Sequence, residues 1–166
     1  MQGNSSARAV GAEEPDLDEI IETVLTTSRV FVAIAARSIA AIGLEVTLPQ
    51  YRLLIVLAAH GPQSLGSLSE SLAVNASTAT RMCDRLIRKG LVRRRASSRD
   101  RREVRLALTS LGRHLVDDAT HLRRIELSRL LDAVPKDEQR ALIHALSSLN
   151  AAAGEVPDLD WASGWQ

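Results

Sequence analysis

Asn75-Ala76-Ser77-Thr78-Ala79-Thr80-Arg81-Met82-Cys83-Asp84-Arg85-Leu86-Ile87-Arg88-Lys89-Gly90 is the stretch that decides the fold. Asn75 offers a side-chain oxygen to the free N–H groups of a helix start, and Gly90 stops the helix. With Ser77 set at 0°, Arg88 falls at about 20°, Arg81 at about 40°, Arg85 at about 80°, Thr78 at about 100° and Asp84 at about 340°. Met82, Leu86, Ala79, Cys83 and Ile87 fill the arc from about 140° to about 280°. One side is therefore Ser, Thr and Arg; the other is apolar and must dock on something. An exposed Ser/Thr/Arg arc has the chemistry to read a DNA major groove, where arginine makes paired hydrogen bonds to guanine.

The neighbouring sequence gives this helix a setting. Upstream, Ser64 can cap a short helix over about Leu65 to Leu72, ending in a tight turn. Downstream, Leu91 to Arg95 and Glu103 to Leu108 read as two short strands, because Val104, Leu106 and Leu108 alternate with Arg105 and Ala107. Ala96 to Arg102 joins them as a polar loop. Two short helices across a tight turn, followed by a two-stranded ribbon, make a winged helix-turn-helix. Arg81 to Arg105 holds eleven basic residues against three acids, a local +8, although the whole chain is only +1. Such a block is an electrostatic footprint for a polyanion.

Further out, the chain reads as helices cut by Pro and Gly. Asp16 to about Ile42 is a long helix with Leu17, Ile20, Ile21, Val24, Leu25, Ser28, Phe31 and Ala35 at helical spacing, ended by Gly43. Pro49 opens a second, to Ala59, closed by His60-Gly61-Pro62. Thr109 caps a fifth, Ser110 to about Asp132. Pro135 takes the first position of a sixth, which runs to about Ala153. The fold expected is mainly α, with about six helices and a short two-stranded wing. The expected divisions are an acidic N-terminus over 1–15, a helix and connection for dimerisation over 16–48, the DNA-binding region over 49–109, dimerisation helices over 110–153 and a tail over 154–166. The first helix is too long and apolar for a small winged domain to cover. The fifth (Leu111, Leu115, Ala119, Leu122, Leu127, Leu130) and sixth (Leu142, Ala145, Leu146, Leu149) also carry apolar stripes, so a homodimer is expected.

Composition narrows the alternatives. Leu and Ala supply 47 of 166 residues, which favours helix. There are four aromatics, Phe31, Tyr51, Trp161 and Trp165, too few for a fold that stacks bases on aromatic platforms. Cys83 is the only cysteine; it lies on the apolar arc and reads as a small core residue. His114 and His121 stand two turns apart, about 10 Å, too far to share a metal on that helix. His60 is expected to cap its helix and His144 to pack. The longest uncharged stretch, Leu53 to Ser69, is broken by Gly61-Pro62 and cannot span a bilayer. No signal peptide is expected, and no phosphate-binding glycine loop or nucleophile elbow is read in the sequence. The expectation is a cytoplasmic protein that is not an enzyme and uses no cofactor or metal.

At Leu86-Ile87-Arg88-Lys89-Gly90-Leu91-Val92-Arg93-Arg94, Asp100-Arg101-Arg102 and Leu108-Thr109-Ser110-Leu111-Gly112 the chain resembles the MarR family of winged-helix regulators, over about residues 17–153. The family's wing pattern, Asp-x-Arg then Leu-Thr-x-x-Gly, is complete. The resemblance implies a dimer with interlocked terminal helices on a near-palindromic double-stranded operator. It implies groove contacts from Ser77, Thr78, Thr80, Arg81 and Arg85. Arg88, on the same arc, and Arg101 join the expected DNA contacts. Arg102 corresponds to the wing arginine of the minor groove, and Asp100 to the acid that braces the wing. An acid among Arg99, Arg101 and Arg102 would repel phosphate unless paired inside the protein, which agrees with a brace. Where the family often has glycine in the turn after the third helix, this chain has Ala73. The family's usual effector is a small aromatic or phenolic compound, with Phe31 to Arg37 and Tyr51 as plausible lining. The reading is a ligand-responsive repressor; the alternative is a constitutive regulator controlled by abundance or a protein partner.

Overall fold

The computed structural model describes residues 16–96 and 104–155. The chain forms two compact units, Met1–Ala33 and Ile34–Gln166. The elements are α1 (Leu17–Ala41), α2 (Leu48–His60), α3 (Leu65–Ser71), α4 (Ala76–Arg88), β1 (Val92–Ala96), β2 (Val104–Leu108), α5 (Ser110–Leu131) and α6 (Lys136–Ala153). The type and order of every element match the sequence expectation.

Helix starts follow side-chain caps. Ser64, Asn75 and Thr109 each accept a hydrogen bond from a first-turn N–H of α3, α4 and α5. Helix α2 begins one residue before the expected Pro49. Thr47 caps it, and the Gln50 side chain accepts from the Thr47 N–H in return, at 3.2 Å, a reciprocal capping box. Pro135 stands just before α6 rather than at its first position and makes no side-chain cap bond.

The core lies in the second unit. Leu53, Leu54, Leu57 and Ala58 of α2 are buried with Leu68 of α3, Leu86 of α4, Leu91, Val92, Leu106 of β2, and Leu115, Val116 and Ala119 of α5. Strands β1 and β2 pair antiparallel with Arg94 opposite Leu106. A third segment joins them, which the sequence reading missed. Gln63 and Leu106 exchange both backbone hydrogen bonds, at 3.0 and 2.8 Å. One residue of the α2–α3 connection thereby extends the ribbon.

The turns show why particular small residues stand where they do. At the end of α4 the Gly90 N–H donates to the Ile87 carbonyl and the Leu91 N–H to the Leu86 carbonyl, with Gly90 at φ 70°. This paired bond pattern needs a left-handed residue. The end of α3 repeats it: Ala73 N–H to Glu70, Val74 N–H to Ser69, with Ala73 at φ 51°. Ala73 thus adopts the conformation glycine would, at a cost of roughly 1 kcal/mol. It is the one non-glycine residue with positive φ among the described residues.

Gly112 is required by proximity, not by φ. A Cβ there would lie 2.1 Å from the Leu91 carbonyl oxygen and 3.2 Å from Leu108 Cδ2. The same Leu91 oxygen accepts from the Thr109 N–H at 3.1 Å, and the Thr109 hydroxyl donates to the Gly90 carbonyl at 2.6 Å. The Leu-Thr-x-x-Gly pattern is therefore the joint between the end of α4, the ribbon and the start of α5.

The long helices behave differently. In the first unit Leu17, Ile20, Ile21, Val24, Leu25 and Phe31 are exposed. By length and composition α1 could cross a membrane. On α5 Gly112, Leu115, Val116 and Ala119 are buried, whereas Leu111, Ile125, Leu130 and Leu131 are exposed. Helix α6 buries nothing within the chain, and Leu142, Ile143 and Leu149 are exposed. The expectation that His144 packs is not met: it is exposed, on a helix that has no buried residue among the described ones. His60 is the exposed last residue of α2. Among the described residues no group of three or more His, Cys, Asp or Glu side chains could hold a metal ion.

Gly112→Ala is expected to destabilise the fold by about 3 kcal/mol, because backbone on both sides must shift. Thermal or denaturant unfolding checks this; a loss below about 0.5 kcal/mol would show that the joint yields easily.

Candidate nucleic-acid interface

Helix α4 separates its faces as its sequence dictates. Ala79, Met82, Cys83 and Leu86 are buried against the core. Ser77, Arg81, Arg85 and Arg88 are exposed, and Thr78 is half-buried. Asn75 holds the helix start: its side-chain oxygen accepts from the Thr78 N–H and the Ser77 hydroxyl, both at 2.8 Å. The Arg81 guanidinium donates to the Thr78 hydroxyl at 3.3 Å. Thr80 sits on the flank, half-buried, and its hydroxyl donates to the Ala76 carbonyl at 2.8 Å. Of the expected contacts on this helix, the structure brings Ser77, Thr78, Arg81, Arg85 and Arg88 onto one accessible arc and leaves Thr80 at its edge. Arg101, Arg102 and the expected brace Asp100 lie outside the described residues.

One ion pair on this face was missed in the sequence. Arg94 of β1 donates to Asp84 of α4 at 2.9 Å, tying the ribbon to the helix. The signal was present in the alternation of the strand, which puts Arg94 on the same face as buried Val92 and Arg93 and Arg95 on the other. Between α4 and β1 lies a hollow of about 480 Å³ walled by Arg81, Asp84, Arg85, Ile87, Arg88 and Arg94. Its walls are mostly cationic, so what it accepts is an anion or the edge of a polyanion.

Cys83 faces the interior at 2% exposure. Burial, and then the neighbouring Asp84 carboxylate, push its thiol up to about 11. Only the thiolate is a nucleophile. At pH 8 about one thiol in a thousand is then ionised. A thiol-specific reagent should therefore react with the native chain at least 100-fold more slowly than with the denatured chain. Equal rates would show that Cys83 is reachable in the fold.

The geometry has parallels in known proteins. A family model described as the MarR family matches residues 46–104, from the residue before the α2 cap to the start of β2. The HTH-type transcriptional repressor MdtR of Bacillus subtilis is 31% identical over 108 residues, spanning 65% of this chain and 70% of the repressor. The crystal structure of RV1404 from Mycobacterium tuberculosis is 39% identical, with a TM-score of 0.80 over 87% of this chain and 99% of that one. A mutant of S. aureus MepR bound to an oligodeoxyribonucleotide superposes with a TM-score of 0.58 at 19% identity, over 84% of this chain and 99% of that one; that likeness is of fold alone. With the winged-helix core, the Arg-bearing face of α4 and the Thr109–Gly112 joint in place, the chain belongs to the MarR family of transcriptional regulators.

Proposed function

We propose that the protein is a homodimeric repressor that reads a near-palindromic double-stranded operator through α4 and the wing. One observation carries the reading: α4 buries Ala79, Met82, Cys83 and Leu86 and leaves Ser77, Arg81, Arg85 and Arg88 free on the opposite arc. A helix seated this way presents its polar side to a major groove, as in other helix-turn-helix proteins. The +8 block supplies the sequence-independent attraction to phosphate. In this reading Arg101 and Arg102 belong to the wing tip, Arg102 enters the minor groove, and Asp100 braces the wing. The name of the similar B. subtilis protein MdtR supports repression, and the oligodeoxyribonucleotide bound to the MepR mutant supports DNA as the partner.

Dimerisation follows from the apolar surface left uncovered. Leu142, Ile143 and Leu149 of α6, Ile125, Leu130 and Leu131 of α5, and Leu17, Ile20, Ile21, Val24, Leu25 and Phe31 of α1 are exposed. Together they need a second copy of the chain to leave water. A cytoplasmic location accords with a regulator of transcription.

A small aromatic or phenolic effector is the remaining part of the proposal. Tyr51 of α2 is buried, and Arg123 of α5 donates to its hydroxyl at 3.1 Å. The Arg123 Nε is buried without a hydrogen-bond partner, and buried donors of this kind call for an acceptor. A phenolate or carboxylate near α2 and α5 would supply one. Titration of hydroxybenzoates into the protein–operator complex tests this: release of DNA supports the effector. Failure of any such compound to bind leaves the alternative, a constitutive regulator set by abundance or a protein partner.

Two outcomes are expected. Arg81→Ala and Arg85→Ala should alter the bases preferred in selection from a random duplex pool, with losses of about 1–3 kcal/mol of discrimination per contact. Their thermal stability should stay within about 0.5 kcal/mol, because both side chains are exposed. Unchanged preference in both variants counts against α4 as the reading element. Separately, Leu142→Arg combined with Leu149→Arg should leave the winged core folded by circular dichroism and shift the sedimentation coefficient from dimer to monomer. A folded dimer carrying both charges would refute α6 as the interface.

A further inference from the structure

We infer that Arg94 is reserved for Asp84 and takes no part in phosphate binding. Asp84 is then a positioning residue that holds down the protein's affinity for DNA of any sequence. The inference rests on the reading of α4 and the wing as a DNA-binding face.

The carboxylate of Asp84 stands on the polar arc of α4, one residue from Arg85 and three and four from Arg81 and Arg88. Facing phosphate, an unpaired acid there would oppose binding; its place needs an internal partner or a role in reading bases. The structure supplies the partner, with Arg94 Nη2 2.9 Å from Asp84 Oδ1. The pair stands between two hollows. On one side is the cationic hollow of about 480 Å³ bounded by Arg81, Arg85 and Arg88. On the other is one of about 170 Å³ lined by Leu65, Thr80, Cys83, Val104 and Leu106. Asp84 and Arg94 line both. The strand's alternation keeps Arg94 on the Val92 side of the ribbon, while Arg93 and Arg95 point the other way.

The side chains of the pair are 47% and 64% exposed. An ion pair so open to water contributes little to stability, so its effect is on where the charge sits. A guanidinium on a thin ribbon beside DNA would neutralise a phosphate wherever the protein lands. Each such contact adds about 0.9 to the magnitude of the slope of log affinity against log salt. Asp84 removes that contact by occupying the cation.

Binding of the full-length protein to duplex DNA of arbitrary sequence, followed by fluorescence anisotropy across a salt series, tests the assignment. Arg94→Gln leaves the Asp84 carboxylate unpaired beside DNA and is expected to weaken binding, so the contact is read from Asp84→Asn and from the double variant. Asp84→Asn is expected to steepen it by about one unit for each winged domain engaged and to tighten binding by about five- to tenfold per domain at 0.1 M salt. Arg94→Gln added to Asp84→Asn should return the slope to that of the parent. Arg85→Gln, on the groove arc, should flatten it. An Asp84→Asn slope no steeper than the parent's would overturn the inference, as would an Asp84→Asn effect that survives the loss of Arg94. If the parent shows no salt-dependent binding, the DNA-binding reading itself fails. If the parent binds and only the Asp84 and Arg94 results disagree, the inference fails and that reading stands. Melting curves of all four variants within about 3 °C of the parent are expected from the exposure of the pair.

Discussion

The Leu91 carbonyl is the point on which the arrangement turns. It accepts from the Thr109 N–H, and the first turn of α5 lies so close that only glycine fits at position 112. Three elements meet at this oxygen: the end of α4 through Gly90 and Leu91, the close of the ribbon at Leu108, and α5. A rigid joint here has a consequence at the DNA face. The angle between α4 and the ribbon, and hence where each arginine can reach, is set first by the backbone contacts at this joint.

Much of this was legible because it is local. Caps at Ser64, Asn75 and Thr109, the stop at Gly90 and the two faces of α4 are written in residues three to four apart, and the structure shows each of them. The departures are also physical. Thr47 took the cap of α2, with Gln50 completing a reciprocal box that outweighed the proline signal at Pro49. Pro135 moved to the position before α6 for want of a capping side chain. Contacts across the chain were not legible. Gln63 pairs with Leu106, and Asp84 with Arg94, because the ribbon folds back beside α2–α3 and α4. The alternation of β1 puts Arg94 on the Val92 face, but no spacing rule names Asp84 as its partner or pairs Gln63 with Leu106. The wing residues Arg101, Arg102 and Asp100 rest on the family pattern alone.

Ala73 illustrates how a fold tolerates a locally poor residue. Its bonds to the α3 carbonyls are those Gly90 makes to α4, and its φ is as left-handed. The strain is roughly 1 kcal/mol. Leu68 and Leu86, fully buried just before the two turns, anchor both helices. The core therefore over-determines the turn, and Ala73 keeps the bond pattern that Gly90 makes at the end of α4. Where a turn is this well anchored, glycine is a convenience. At Gly112, where backbone already occupies the Cβ position, it is a requirement.

Helix α5 connects the two halves of the proposed function. Its first turns, Leu115, Val116 and Ala119, belong to the winged core, and its last turns expose Ile125, Leu130 and Leu131. In the proposed dimer the exposed half meets the partner, so the helix carries the position of the two-fold axis to the Gly112–Leu91 joint. Beyond the joint lies α4. The distance between the two reading helices must match half-sites about one DNA turn apart, roughly 34 Å. Arg37 of α1 also grips Glu126 of α5, with Nη2 2.5 Å from Oε2, and holds that carboxyl below its usual range. This exposed pair adds little stability. Arg123, one turn before Glu126 on α5, donates to the hydroxyl of Tyr51 of α2. A ligand taken up by the Arg123 guanidinium would therefore act on the helix whose direction fixes half-site spacing. In the proposed dimer, small rotations of α5 at that level would misalign two reading helices, so release of an operator would need no unfolding of either winged domain.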